Sequence, residues 1–473
     1  MIPSARGWLI LAHRYLGIAL CVLFLSWFLS GIAMIYARGM PDLPRTARLE
    51  QMPLLDPALI KVSPIEAARR ADRLRPGEVK LLTIIGRPAF QFGPAVPVTI
   101  FADNGQRLEH LMASEAIAIA SGFTGIPTEA IRANGVLTQP DQWTLGQRRA
   151  MPVHKLAASD DRGTVIYVSE PLGEVVMTTT SASRRLAWIS AIPHWLYFAA
   201  LRRHDRLWAS AVLWLSGAGC VAVLLGLLLA VVQYRARYVG LMKWHYRLGV
   251  LFGAISLTWV FSGFLSMQPG DWASSDAVAP AVAEAVSEGP VDLSQFPPLE
   301  ADAWPATGLW IRELELARIH HVPAYIARGR DRSAVIAAAP PYAELGAASV
   351  DSILQRISAV SALPQVREST LLSAYDAYYY DRDRALPLPV LRLRFADRDR
   401  TWVYIDLQRC RLVAALSSRA RVERWLYHGL HSLDFPFLYG KRPLWDGVVI
   451  ALCGGGAFLS ATAIAIAFKR LFR

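Results

Sequence analysis

Hydrophobic positions along the chain are gathered into four long blocks, over residues 8–37, 207–234, 244–267 and 444–468. The stretches between them are patterned like ordinary globular sequence. Each block exceeds the roughly 20 apolar residues needed to cross a hydrocarbon core. None carries Asp or Glu, apart from Asp446 at the edge of the last. The pattern predicts four transmembrane helices. The first block is too long for a signal-peptide core and lacks a convincing cleavage site, so it reads as a retained span. Arg6 precedes the first span, Arg235, Arg237 and Lys243 lie between the second and third, and Lys469, Arg470 and Arg473 end the chain. The positive-inside rule makes these sites, and both termini, cytoplasmic. Residues 38–206 and 268–443 then share the opposite side. Arg38, Arg202, Arg203 and Arg206 weaken the bias without reversing it.

The blocks repeat one another. His13-Arg14-Tyr15-Leu16-Gly17 matches His245-Tyr246-Arg247-Leu248-Gly249, and the offset of 232 recurs at Trp27/Trp259 and Gly31/Gly263. A second register, at 237, relates Pro152 to Pro389, Thr164 to Thr401, Tyr167 to Tyr404, Trp188 to Trp425, His194 to His431 and Trp208 to Trp445. The expected architecture is a membrane α-helical protein built by internal duplication. Its pseudo-twofold axis runs along the membrane normal, because both halves enter the bilayer in the same direction. In chain order the expected parts are a first transmembrane helix (1–37), an outer domain (38–183) and an interfacial amphipathic helix (184–206). A second helix (207–234), a cytoplasmic loop (235–243) and a third helix (244–267) follow. A second outer domain (268–420), an interfacial segment (421–443) and a fourth helix with its cytoplasmic tail (444–473) complete the chain.

Each outer domain reads as α+β. Residues 80–85 and 98–101 look like strands, with an Asp103-Asn104-Gly105 turn after the second. Ser63-Pro64 opens a helix, and 114–120 looks helical. Residues 165–168 and 174–178 form a hairpin, with a counterpart at 402–405 and 411–414. Residues 273–298, rich in Ala, Val, Pro and acids, read as a loosely packed linker.

Composition narrows the chemistry. The 473 residues are 53% hydrophobic with a net charge of +12. That charge reflects membrane anchors and an Arg-rich outer face, with no nucleic-acid motif behind it. Of four cysteines, Cys21, Cys220 and Cys453 lie in spans and Cys410 outside. There is no disulfide framework, no clustered thiolate set for iron–sulfur ligation, and no Cys-x-x-Cys-His for covalent haem.

Ionisable side chains at membrane depth are costly and mark function by default. His13 and His245 have a bland alternative as headgroup or interhelical hydrogen-bonders. The functional reading is that they ligate one haem iron, with Arg14 and Arg247 near enough for its propionates. His194 and His431 each precede their span by 13 residues. They read either as incidental members of an aromatic belt or as ligands of a second haem at the opposite leaflet. His428, three residues before His431, is a rival ligand. Arg202, Arg203, Lys441 and Arg442 are candidate propionate partners there. Trp27, Trp259, Trp195, Trp188 and Trp425 line the expected path or simply pack. No catalytic residue is assigned.

The His-Arg-Tyr-Leu-Gly start, the Trp-Phe-x-Ser-Gly that follows it, the Pro193-His194-Trp195-Leu196-Tyr197-Phe198 block and the run from Arg424 to Phe435 resemble PepSY-associated transmembrane proteins of bacterial inner membranes. The likeness covers nearly the whole chain and is weaker in the outer, PepSY-like domains. That family includes ferric-siderophore reductases of the ferrioxamine reductase type. The resemblance implies two b-type haems and electron transfer, from a cytoplasmic or quinol-derived donor, to a ferric siderophore in the periplasm with release of Fe(II). Tyr375, Tyr378, Tyr379 and Tyr380, followed by residues 381–384 and 397–400, are the best candidate docking surface, or else a strand with cross-strand aromatic pairs. Two other readings stay open. One is a non-enzymatic module whose outer domains bind a periplasmic partner. The other is a haem electron carrier serving Cu(II) or a redox protein.

Overall fold

The computed structural model describes residues 4–37, 39–74, 76–93, 96–234, 237–273, 278–300, 308–382 and 384–472. Arg38, Arg235 and Arg473, residues 274–277 of the expected linker, and Asp383 beside the tyrosine run lie outside the described residues. Four helices, Ala5–Ala37, Asp205–Val232, Gly240–Ser266 and Leu444–Leu471, are long and apolar enough to cross a membrane. Each packs on two others. The first and third both touch the second and fourth, so they stand diagonally across the bundle. Small residues set the close approaches. A Cβ at Gly456 of the fourth helix would fall on the Phe28 ring of the first.

The remainder is β-rich. The first half supplies β1 Glu78–Ile84, β2 Arg87–Gly93, β3 Val98–Phe101, β4 Ile131–Leu137, β5 Val153–Ala158, β6 Val165–Ser169 and β7 Glu174–Thr179. The second supplies β8 Glu313–Ile319, β9 Val322–Arg328, β10 Ser333–Ala337, β11 Val366–Leu372, β12 Val390–Phe395, β13 Trp402–Asp406 and β14 Arg411–Leu416. They form antiparallel sheets ordered β4-β5-β6-β7, β11-β12-β13-β14 and β10-β9-β8-β1-β2-β3. The second half follows the first closely. The Asp160 carboxylate accepts from the Thr164 amide and hydroxyl at 2.8 and 2.6 Å, and Asp397 does the same for Thr401 at 2.7 Å each.

Three expectations need correction. The outer segments are not two separate domains. Strands β1 and β8 pair, with Leu81 opposite Leu314, so one six-stranded sheet draws on both halves. A chain of alternating charge, buried at Glu313, Glu315 and Arg328, reinforces the join. Arg48 pairs with Glu174 and Glu313, Arg328 with Glu313 and Glu315, and Arg411 with Glu315. Secondly, the linker contains a helix, Ala279–Ser287. Val278, Val282 and Val286 recur every four residues, so they form one apolar stripe and are buried in the second half's core. Thirdly, the segment before the second span is not one amphipathic helix. It breaks into Ser181–Ile189, Ala191–Trp195 and Ala199–Arg202, interrupted at Ser190 and at Leu196, whose backbone is left-handed (φ 53°). Leu433 takes the same conformation (φ 49°) after the helix Leu430–Ser432. A left-handed leucine costs about 1–2 kcal/mol and persists only where its surroundings dictate it.

Candidate cofactor-binding site

His13 and His245 stand near the starts of the first and third helices, one helix carrying each. Although the helices are diagonal neighbours, the two imidazole centroids lie 6.3 Å apart, with planes inclined by 42°. His194 and His431 ride on the short helices that end in the left-handed leucines. Their centroids are 5.9 Å apart, with planes inclined by 68°. All four side chains are half-buried.

Each imidazole is anchored through Nδ1. That of His13 lies 2.9 Å from the Ala222 carbonyl, which can only accept, so Nδ1 carries the proton. That of His245 lies 3.0 Å from the Thr462 hydroxyl, whose own proton goes to the Leu459 carbonyl at 2.7 Å. Thr462 must therefore accept from the ring. Ser30 holds His194 in the same way: its hydroxyl donates to the Trp27 carbonyl and accepts from Nδ1, each at 3.1 Å. Ser262 donates to the Trp259 carbonyl at 2.9 Å and accepts from His431 at 3.0 Å. With Nδ1 protonated in every case, Nε2 keeps its lone pair. This is the tautomer that binds a metal, with the second nitrogen's partner fixing the ring.

The short helices have a second tether. The Trp208 indole donates to the Trp195 carbonyl at 2.9 Å, and the Trp445 indole donates to the Ser432 carbonyl at 3.1 Å. The residue after each outer histidine is thus tied to the start of the following span. Ser30 lies 17 positions after His13, and Ser262 17 after His245. At 1.5 Å per residue the two pairs are about 25 Å apart along the helices, close to a hydrocarbon core's thickness. Between them pack Phe24, Phe28 and Trp259, with Phe28 and Trp259 6.0 Å apart. The buried Trp259 indole nitrogen has no hydrogen-bond partner among the described residues.

Two facing imidazoles suit one metal between them. With metal–nitrogen bonds near 2 Å, two imidazoles sharing one metal would place their centroids about 6 Å apart. Among the described residues no group of three or more His, Cys, Asp or Glu side chains is arranged to hold a metal ion. Two imidazoles at this spacing would fit a metal that brings its other ligands with it, as a haem iron does.

The rival His428 is exposed and meets Tyr427, with centroids 4.9 Å apart, while His431 faces His194. His428 lies in a π-helical turn, Trp425–Gly429, which disturbs the three-residue spacing to His431. Arg14 is half-buried and Arg247 exposed. Neither has a carboxylate partner among the described residues, and Arg247 lies 5.9 Å from the centre of the Trp244 ring. Arg202 pairs with Asp205 and stacks on Tyr197 and Trp208, and Arg203 donates to the Pro140 carbonyl at 3.0 Å. Arg442 pairs with Asp446 at 2.7 Å. The His154 and His320 rings are held by local carbonyls, at 2.8 Å from that of Leu111 and 3.0 Å from that of Gly346.

The tyrosine run is a turn, not a strand. The Asp376 carboxylate accepts from the Tyr378 and Tyr379 amides at 2.8 and 2.7 Å and pairs with Arg392 at 3.0 Å. Asp141 does likewise with Trp143, Thr144 and Lys155. Tyr379 is buried against Tyr404 and donates to the Pro387 carbonyl at 2.8 Å. Tyr375 donates to the Leu386 carbonyl, Tyr378 accepts from the Trp425 indole, and Tyr380 donates to Asp434. Burial and then the Asp434 charge push the Tyr380 hydroxyl well above the usual phenol range. Gly226 carried no signal in the sequence. A Cβ there would sit 2.8 Å from Cε1 of His13, so a bare backbone is needed for that ring to reach its place.

No family model matches the chain, and no curated protein matches it.

Proposed function

We propose that this chain is a di-haem oxidoreductase of a bacterial inner membrane that passes electrons outward to a periplasmic ferric siderophore, releasing Fe(II). The observation that carries the reading is the pair of facing imidazole couples, one near each end of the bundle, with all four Nε2 atoms free to bind iron. His13 and His245 hold the inner b-type haem, and His194 and His431 the outer one. Bound haem supplies one-electron redox chemistry. The chain's own contribution is to fix ring orientation through Ala222, Thr462, Ser30 and Ser262, and to exclude water with the aromatic layer around Phe28 and Trp259. In this reading the basic loop ends are cytoplasmic and the sheets are periplasmic PepSY-like domains. Matched elements at offsets of 232 and 237 come from an internal duplication whose pseudo-twofold axis runs along the membrane normal. The electron donor is a cytoplasmic carrier or a quinol.

A reduced-minus-oxidised visible spectrum of the purified protein, with a haem-to-protein ratio, tests this. Two haems per chain are expected. Colourless protein from cells replete in iron and haem would overturn the reading and favour a partner-binding membrane module. Two haems without reduction of a ferric siderophore would keep the cofactors and move the acceptor to Cu(II) or a redox protein.

A further inference from the structure

The outer histidines correspond in position but differ in surroundings. Arg424, His428 and Asp434 beside His431 stand where the first half has Ala187, Ala191 and Tyr197, 237 positions earlier. Arg424 is 5% exposed and Asp434 3%. Arg424 donates from Nε to the Ala377 carbonyl at 2.6 Å and from Nη2 to the Asp434 carbonyl at 2.7 Å. Its faces lie over the Tyr380 and Trp425 rings, at 4.7 and 4.4 Å. Stacking occupies the faces of a guanidinium and leaves its edge free to donate. Nη1 is buried on that edge and has no hydrogen-bond partner among the described residues.

The local charge is also incomplete. The Asp434 side chain is met by Arg382 at 3.1 Å and by the Tyr380 hydroxyl, whereas Arg424 reaches only the Asp434 backbone carbonyl and has no carboxylate partner among the described residues. Arg382 in turn lies 5.0 Å from the centre of the Trp445 ring, whose indole is tied to Ser432, the neighbour of His431. An excess buried cation with an idle donor is costly, and a carboxylate fits a guanidinium edge best.

We propose that Arg424 and Arg382, both from the second half, form a carboxylate-binding site beside the outer histidine pair. The carboxylate belongs either to the group held by His194 and His431, in which case the inference rests on the function proposed above, or to a carboxylate-bearing ferric chelate. The expected partners Arg202 and Arg203 are partly committed, Arg202 to Asp205 and Arg203 to the Pro140 carbonyl.

The test uses the purified full chain with Arg424→Lys, which keeps the charge and loses the fork, and Arg382→Gln, whose side chain is half-exposed and safe for folding. Haem per chain and the midpoint potential of each haem are measured, and ferric citrate and citrate are titrated by calorimetry. Loss or a shifted potential of the outer haem alone, with the inner haem as folding control, supports the cofactor's carboxylate. Unchanged haems with citrate binding weakened about tenfold or more support a chelate's carboxylate. If both variants leave the haems and citrate binding unaltered, the proposal is overturned. Should the wild-type chain carry no haem, the function proposed above fails by itself and citrate binding alone decides this site, absent or unaltered binding refuting it. If Arg424→Lys does not fold, the same measurements on Arg382→Gln decide between these outcomes.

Discussion

His13 and His245 project from the spanning helices themselves, whereas His194 and His431 sit on short broken helices docked against those spans. The inner rings are positioned within the four-helix bundle, by groups one helix away. The outer rings depend on three elements meeting: the short helix, a serine from the preceding span, and an indole at the start of the next span. A coupled pair of imidazoles can thus be built either from helix register alone or from the convergence of separate segments. The second kind is more exposed to changes outside the membrane.

The strongest way to break the comparison is to remove ligands. His13→Ala or His245→Ala should abolish the inner haem signal and keep the outer. His194→Ala or His431→Ala should do the reverse, while His428→Ala keeps both. Haem per chain and separate redox titrations check this, and retention of both haems in any of the first four variants refutes that ligand.

The outer sheets offer the next test. Burial alone would raise the Glu313 and Glu315 carboxylates, but Arg48 and Arg328 around Glu313, and Arg411 and Arg328 around Glu315, outweigh it and hold both below the ordinary 4.5. Their contribution to stability is therefore complete above that value and is lost as pH falls through the lowered folded values. Removing one partner of such a buried set costs about 3–5 kcal/mol. Glu313→Gln should lower the thermal unfolding temperature of the outer region and flatten its loss of stability below about pH 4.5. An unchanged acid profile would show that the charged chain does not join the halves.

Gly226→Ala should affect the inner pair only. Overpacking of this kind costs about 1–3 kcal/mol, and the displaced His13 ring should lower inner haem occupancy with the outer spectrum unaltered. The smallest effect is expected at the anchors. Ser30→Ala leaves His194 in place but frees its Nδ1, which should weaken outer cofactor affinity about 10–100-fold, as loss of a ligand's hydrogen-bond partner does. Ser262→Ala should do less, because His431 Nδ1 also lies 3.2 Å from the Trp259 carbonyl.

The four spans, the repeated registers and several strands were legible in the residues alone. Apolar density and period-two alternation are local properties that neighbours along the chain enforce. The expected strand at 98–101 is β3 as it stands, and the hairpin at 165–178 is β6 and β7 within a residue. The two histidine couples were also legible, because equal offsets placed their members in matching contexts. What was not legible is how separate segments meet. No local pattern announces that β1 pairs with β8, 233 positions on, or that Asp376 curls the tyrosine run into a turn. The valine stripe at 278, 282 and 286 was readable in principle, but the surrounding Pro and acidic residues disguised it.

By itself, then, the sequence determined how many helices are long and apolar enough to cross a membrane and which histidines correspond. Tertiary structure decided that His431 rather than His428 meets His194, that Nδ1 of each of the four paired histidines is engaged, and that a buried arginine, Arg424, lies near the histidine of the second half. Those outcomes rest on left-handed turns at Leu196 and Leu433 and on hydrogen bonds between residues more than 160 positions apart. Such contacts form only once the helices have packed, since no stretch of chain holds both partners.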